Sequence, residues 1–462
     1  MPVLRTLALA VVVGATLGAH VRAAASPTSL AGADDPVLAA LIEEALARNP
    51  DLKGAQEALA AARSRPDQAR SLSNPMVAVG YTNDGWAPTL GSMPMTTLAF
   101  MATQDLPFPG KRRLRGEIAS LQADQVEEQL ERVALGTVAR VRRAYYSLLL
   151  ARDLLELIRE QEGIWKQIEG VARARYVVGQ GAQQDVLRVQ IEVTRIEQLR
   201  AEQDAALETA RAELNRLLDR PAEAPLDATA PLGLAKREGS LDEVLARLEA
   251  ISPELQSTLI SVERDRLAAD LARKEFKPDF TVQGGYMSRG GLDPMWQAGV
   301  GVSLPLYRKR ISAGVAEAEA QTRASERLVE STRLQLRFRT QERRAQLRAT
   351  ERIAEVYDQG VIPQDRMSVE AAVASYQTGK VPFVAVLEAL TTLYNDRATH
   401  LGVLADHGRI RASLEEASLE ATAGMSSPGP SGMRAVGESS LGMSGAGAPG
   451  GSGSTGGSGM NR

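Results

Sequence analysis

The sequence predicts a mostly α chain with a membrane β-barrel portion, and three observations carry that prediction. The chain repeats itself, each copy holds two strand-like alternating runs, and each copy holds helices far longer than a globular core needs. The duplication is plainest where Tyr176-Val177-Val178-Gly179 returns as Tyr376-Gln377-Thr378-Gly379, and Val186-Leu187 returns as Val386-Leu387. Each of these segments reads as the tip of a helical hairpin, glycine giving the backbone freedom that a helix end requires. Upstream, Asn49-Pro50-Asp51-Leu52 is matched by Ser252-Pro253-Glu254-Leu255, Pro75 by Pro278, and Leu106-Pro107-Phe108 by Leu304-Pro305-Leu306. The expected division is therefore a first repeat at 26–220, a linker at 221–240 containing Pro221, Pro225, Pro231 and Gly233, and a second repeat at 241–423.

The ends differ from the body. Arg5, the apolar run Leu7 to Leu17 and the small residues Ala23-Ala24-Ala25-Ser26 predict a cleaved secretory signal over residues 1–25. Residues 424–462 are mostly Gly, Ser, Pro and Met with almost no core formers, which predicts a disordered tail. Elsewhere no run approaches the roughly 18 apolar residues of a membrane helix, so any span has to be β.

Composition excludes several classes. Lys plus Arg number 54 against 57 Asp plus Glu, a balance that argues against a nucleic-acid partner. Without cysteine there are no disulfides, thiolate metal sites, cysteine nucleophiles or lipid-anchored cysteines. No Ser-His-Asp, metal-ligand or nucleotide-binding spacing stands out, so neither an enzyme nor a cofactor is expected.

In chain order, Leu38, Leu41, Ile42, Ala45 and Leu46, then Leu52, Ala55, Leu59 and Ala62, predict an amphipathic helix pair broken at Asn49-Pro50. The period then changes to two. Val77, Val79 and Tyr81, Leu98, Phe100 and Ala102, Phe280, Val282 and Tyr286, and Trp296, Ala298, Val300, Val302 and Leu304 each alternate with small or polar residues. Such a run suits a half-buried strand of a soluble sheet as well as a barrel strand with lipid outside and water inside. Aromatic placement favours the barrel: with strands rising and descending in turn, Trp86 and Trp296 fall near one bilayer face and Phe108, Phe276, Phe280 and Tyr307 near the other. The basic clusters Lys111-Arg112-Arg113-Leu114-Arg115 and Arg308-Lys309-Arg310 follow the descending strands, where cations would meet anionic headgroups or begin solvated helices.

From Lys111 to about Val178 runs a proline-free, roughly heptad series including Leu114, Ile118, Leu121, Val138, Val141, Tyr145 and Leu148, whose partner helix extends from Gln183 to about Leu218. In the second copy Gly360 and Pro363 interrupt the corresponding series, predicting a kink or short break. Four strands cannot close a barrel, and open edges are not tolerated in lipid, so other copies must complete it. Three chains would supply twelve strands.

With those residues in view, the chain resembles the TolC family of outer-membrane efflux proteins. Ala174-Arg175-Tyr176-Val177-Val178-Gly179 leading to Asp185-Val186-Leu187, and Tyr376-Gln377-Thr378-Gly379 leading to Val386-Leu387-Glu388-Ala389, carry the likeness. The resemblance implies a homotrimer with a twelve-stranded β-barrel in the outer membrane, continued by a periplasmic α-barrel whose tip docks a periplasmic membrane-fusion adaptor and an inner-membrane efflux pump. It also implies a gate built around Glu388, Tyr376, Asp185, Tyr176, Gly179 and Gly379. Glu388 would supply a carboxylate ring or be a solvated carboxylate on a helix face, whereas Ala385 and Val381 occupy the positions of a second acidic ring and of a closing arginine.

Leu106-Pro107-Phe108-Pro109-Gly110-Lys111-Arg112 is similar to the branch that serves heavy-metal pumps. A multidrug or type I secretion exit duct is the alternative, and a periplasmic coiled-coil adaptor a more distant one. Met93, Met95 and Met101 near the outer hairpin, with Met425, Met433, Met443 and Met460 in the tail, offer soft thioethers to Cu(I) or Ag(I), or simply fill gaps. His400 and His407, two turns apart on one helix, suit core or surface roles better than a metal site.

Overall fold

The computed structural model describes residues 35–83, 86, 88–89, 95–226, 228, 230–234, 239–417 and 419. The expected signal at 1–25, the tail at 424–462 and Met93 lie outside the described residues.

Three helices open the described chain: α1 (Pro36–Arg48), α2 (Pro50–Arg63) and α3 (Arg65–Arg70). Each starts with proline at its first or second position, where the missing N–H is no loss. Asp35 caps α1 by accepting from the Val37 N–H, and Asn49 caps α2 by accepting from Asp51 and Leu52. The expected pair is thus a trio, because Arg65-Pro66 interrupts the helical ladder a second time.

Strands β1 (Met76–Thr82) and β2 (Thr97–Leu106) follow. Helix α4 (Lys111–Val177) then runs for 67 residues, about 100 Å, and α5 (Gln183–Leu217) returns beside it. The second copy begins with α6 (Leu241–Ile251), whose Ser240 and Glu243 form a reciprocal capping box, and α7 (Pro253–Lys274), capped by Ser252. Strands β3 (Asp279–Arg289) and β4 (Leu292–Ser303) precede α8 (Arg308–Val356), a π turn (Tyr357–Val361), α9 (Ile362–Gln377) and α10 (Phe383–Glu415).

At Gly360 and Pro363 the helix line does not break. Five residues are wound as a π turn instead, which opens the ladder just where the proline has no N–H to donate and its ring needs room.

The four strands form one antiparallel sheet in the order β1-β2-β3-β4. The register puts like with like: Val79, Phe100, Tyr286 and Trp296 lie side by side, as do Leu106, Phe280 and Val302. The apolar residues therefore share one face, and they are exposed, Val77 at 70%, Val300 at 72% and Trp296 at 79%. The opposite face holds Thr103, Gln283 and Gln297 among glycines and methionines, and on it the Thr281 hydroxyl donates to Asp105 at 3.1 Å. No described helix is long and apolar enough to cross a membrane, whereas this sheet presents a continuous apolar surface.

Where strand meets helix, Lys111 is 1% exposed and turned inward, between Glu275 at 3.3 Å and Asp279 at 3.0 Å. Asp279 also accepts from the Phe108 N–H at 2.7 Å. Lys111 therefore does not face headgroups as its cluster suggested. It follows directly on the left-handed Gly110, φ 91°, at which α4 begins.

The core lies along the helices in separate clusters. Leu38, Leu41 and Ile42 pack on Val141, Tyr145 and Leu148 of α4 and on Leu214 and Leu217 of α5. Near the strands, α4 buries the small residues Gly116, Ala119 and Ala123 beside Leu114, and α3 and α7 pack against it there. A Cβ at Gly116 would strike the Arg70 side chain.

Candidate functional site

The two hairpin tips come together. Gly179 and Gly379 adopt φ of 73° and 74°, a left-handed region costly to any side chain, and each ends its long helix with the same pattern of backbone bonds. Gly179 N–H donates to Tyr176 O and Gly379 N–H to Tyr376 O, both at 3.0 Å. The local geometry is duplicated, but the surroundings are not.

Tyr376 is 3% exposed, whereas its repeat mate Tyr176 is 46% exposed. The Tyr376 ring packs edge-on against Phe383, centroids 5.6 Å apart, and Phe383 packs against Trp165. The Tyr376 hydroxyl donates to Asp185 Oδ2 at 3.2 Å, joining the second tip to the first turn of α5. Burial first, then the Asp185 charge and this hydrogen bond, pushes the Tyr376 hydroxyl up to about 12.

A fourth participant is Arg175. Its guanidinium stands over the Tyr376 ring, 4.6 Å from the centroid. It donates to the Tyr376 carbonyl and, at 3.0 Å, to the Gln180 carbonyl of its own tip. One cation thus bonds a carbonyl in the last turn of α9 and one in the turn that follows α4, where positive charge is favourable beside helix C-termini. Arg175 lies within the tip motif, but the motif's spacing alone assigns it no role. The available signal was the contrast with Ser375 at the equivalent place of the second repeat.

Of the residues expected at the tip, Tyr376, Asp185 and Gly379 are brought together, a Cβ at Gly379 lying 3.1 Å from Arg175 Nη2. Tyr176 and Gly179 stand at the outer edge, and nothing lies within 4 Å of a Cβ at Gly179. Glu388 lies exposed on α10, near the tip.

The methionine set is divided. Met95 is exposed in the turn before β2, while Met101 lies within β2 on the polar face of the sheet. Of His400 and His407, His407 is buried and shares a 3.2 Å hydrogen bond with Thr350, and His400 stacks on Tyr357. No group of three His, Cys, Asp or Glu side chains able to hold a metal occurs among the described residues.

With the fold and tip in place, comparison with known proteins decides the family. The family described as outer membrane efflux protein matches residues 41–220 and 244–418. The chain belongs to that family. As an outer membrane efflux protein it is a passive channel of the outer membrane reaching into the periplasm, not an enzyme. Among curated relatives, the cobalt-zinc-cadmium resistance protein CzcC of Cupriavidus metallidurans is 24% identical over 304 residues, covering 64% of this chain and 70% of that protein. Outer membrane protein TolC of Escherichia coli is 23% identical over 390 residues, 76% of each.

Solved structures share the fold. The outer membrane protein VceC of Vibrio cholerae superposes with a TM-score of 0.69 at 18% identity, covering 82% of this chain and 95% of that one. CusC, described in the context of folding and transmembrane channel formation, gives 0.67 at 19%, with 83% and 92% covered. The open-state MtrE channel of Neisseria gonorrhoeae gives 0.66 at 19%, with 83% and 88% covered.

Proposed function

We propose that three copies of this efflux protein close a twelve-stranded barrel and a periplasmic helical conduit, through which heavy-metal cations leave after delivery by an inner-membrane efflux pump and a periplasmic membrane-fusion adaptor. The observation that carries the conduit is the sheet itself: one exposed apolar face, one polar face, and unpaired outer edges on β1 and β4. Lipid requires those edges to be paired, and an identical chain supplies β4 to β1. Leu334 and Phe338, about 60% exposed on α8, fit the same reading, since a neighbouring subunit would cover them.

Metal cations as cargo rest on the likeness to the cobalt-zinc-cadmium resistance protein. The periplasmic end is held shut by the Tyr376–Asp185 hydrogen bond and by Arg175, which clamps the two tips where Val381 leaves no side-chain cation. Three copies of Glu388 around the axis would form a ring that favours cations.

Deleting the gene and measuring minimal inhibitory concentrations for cobalt, zinc, copper, silver and a panel of hydrophobic drugs tests the cargo. Lowered tolerance to metals alone supports it. Lowered tolerance to drugs alone overturns it in favour of a multidrug duct.

A further inference from the structure

Every methionine in the described strands lies on the polar face. Met76, Met101, Met287 and Met295 occupy one strand each, and none alternates onto the face that carries Val, Phe, Tyr and Trp. Thioethers that merely filled apolar surface would be expected opposite lipid, where apolar area is wanted.

Three of them converge. Met287 and Met295 are directly opposed across β3 and β4, a relation that places Cβ atoms about 4.5–5.5 Å apart. Ala99 is the β2 partner of Met287, so Met101 is its diagonal neighbour at about 7–8 Å, within reach of a long flexible side chain. The register also extends Met101 across β3 toward β4, one pair below Met287 and Met295. Its partner is Gly285, and a Cβ there would lie 2.3 Å from Met101 Sδ, so the sulfur rests over the bare backbone of β3. From that position it accepts from Gln297 Nε2 of β4 at 3.1 Å. Gly285 thus leaves the gap through which a β2 side chain reaches the β3–β4 pair.

We propose that Met101, Met287 and Met295 form a thioether site on the wall of the conduit that takes a soft monovalent cation, Ag(I) or Cu(I), near the outer exit. The proposal rests on the reading that the polar face lines the channel and that metals pass through it. Neutral sulfur donors match soft cations and discriminate against hard ones, and neutral ligands on a water-filled wall release the ion again.

The test uses the full-length purified protein in detergent, titrated with silver nitrate in chloride-free buffer by calorimetry. Two variants are compared with it. One is Met101→Leu with Met287→Leu and Met295→Leu, which nearly conserves volume while removing sulfur. The other carries leucine at Met425, Met433, Met443 and Met460. The expected result is Ag(I) binding retained by the tail variant and weakened at least about tenfold in the strand variant, with zinc nitrate unaffected. Equal Ag(I) affinity in wild type and strand variant, or no binding by wild type, overturns the site.

Potassium chloride conductance in planar bilayers is recorded for all three proteins and for Arg175→Ala. Conductance with no sulfur-dependent Ag(I) binding removes the site and leaves the conduit, whereas silence of both wild type and Arg175→Ala, whose tips are unclamped, removes the conduit reading. If the triple variant does not insert, Met295→Leu, altering the most exposed of the three side chains, takes its place under the same criteria.

Discussion

The guanidinium of Arg175 stands 4.6 Å from the centre of the Tyr376 ring and also binds that residue's carbonyl, so one side chain of the first repeat holds both the ring and the backbone of Tyr376 at the second repeat's tip. Losing it removes a charge-assisted hydrogen bond and a cation–π contact together. Arg175→Ala should cost about 2–3 kcal/mol of closed state, raising the open fraction on the order of 30-fold or more. Single-channel recording reads this directly, and an unchanged open probability would refute the clamp.

Tyr376→Phe should do less. It deletes one hydrogen bond to Asp185 but keeps the ring packed on Phe383, so a loss of about 1 kcal/mol and a several-fold rise in opening are expected. The same contact has a pH window. A hydroxyl raised from about 10 to about 12 contributes stability that is complete below pH 10 and fades as pH climbs through 12. Wild-type conductance should therefore rise in that alkaline range and that of Tyr376→Phe should not.

The two tip glycines separate backbone strain from crowding. Gly179→Ala and Gly379→Ala each force a left-handed side chain, costing about 1–2 kcal/mol. Gly379→Ala also presses on Arg175 Nη2, so it should open the channel more readily than Gly179→Ala. Equal effects in bilayer recordings would mean that the guanidinium gives way freely.

His407 predicts an acid-sensitive step. Burial first lowers its pKa, the nearby Arg411 adding to this while Glu351 opposes it. A base held neutral contributes stability that is present above its unfolded value of about 6.5 and lost as pH falls through the lowered one. Between pH 7 and 5 the melting temperature of wild type should fall further than that of His407→Gln, measured on the detergent-solubilised protein.

Lys111 locks the sheet to the helices. Lys111→Met keeps the volume but leaves Glu275 and Asp279 without their cation. Both carboxylates reach water, so a moderate loss of about 1–3 kcal/mol is expected. A lower heat-dissociation temperature of the oligomer on denaturing gels would register it.

Much of this was legible in the residues. Period-two alternation located all four strands, and the echo of Tyr176-Val177-Val178-Gly179 located both tips, because side-chain period and glycine turns are local properties. The π turn was not legible: Gly360 and Pro363 announce a disturbance, but whether a helix breaks or widens depends on what it packs against. The inward turn of Lys111 was hidden for the same reason, since its partners Glu275 and Asp279 lie more than 160 residues away. The unlike burial of Tyr176 and Tyr376 was the furthest from view, because identical letters in a duplicated chain say nothing about which copy acquires a neighbour.

The second column is also the longer one. Helix α4 has 67 residues, while α8, the π turn and α9 have 49, 5 and 16, three more in total, although both columns hang from the same level of the sheet, where Leu106 and Val302 each pair with Phe280. In a ring of three such chains the six teeth would alternate between a kind bearing a bare phenol and a kind whose phenol is sheathed. A cap that grips all six would need two alternating sorts of socket, and a mould with perfect sixfold repetition could seat only half of them well.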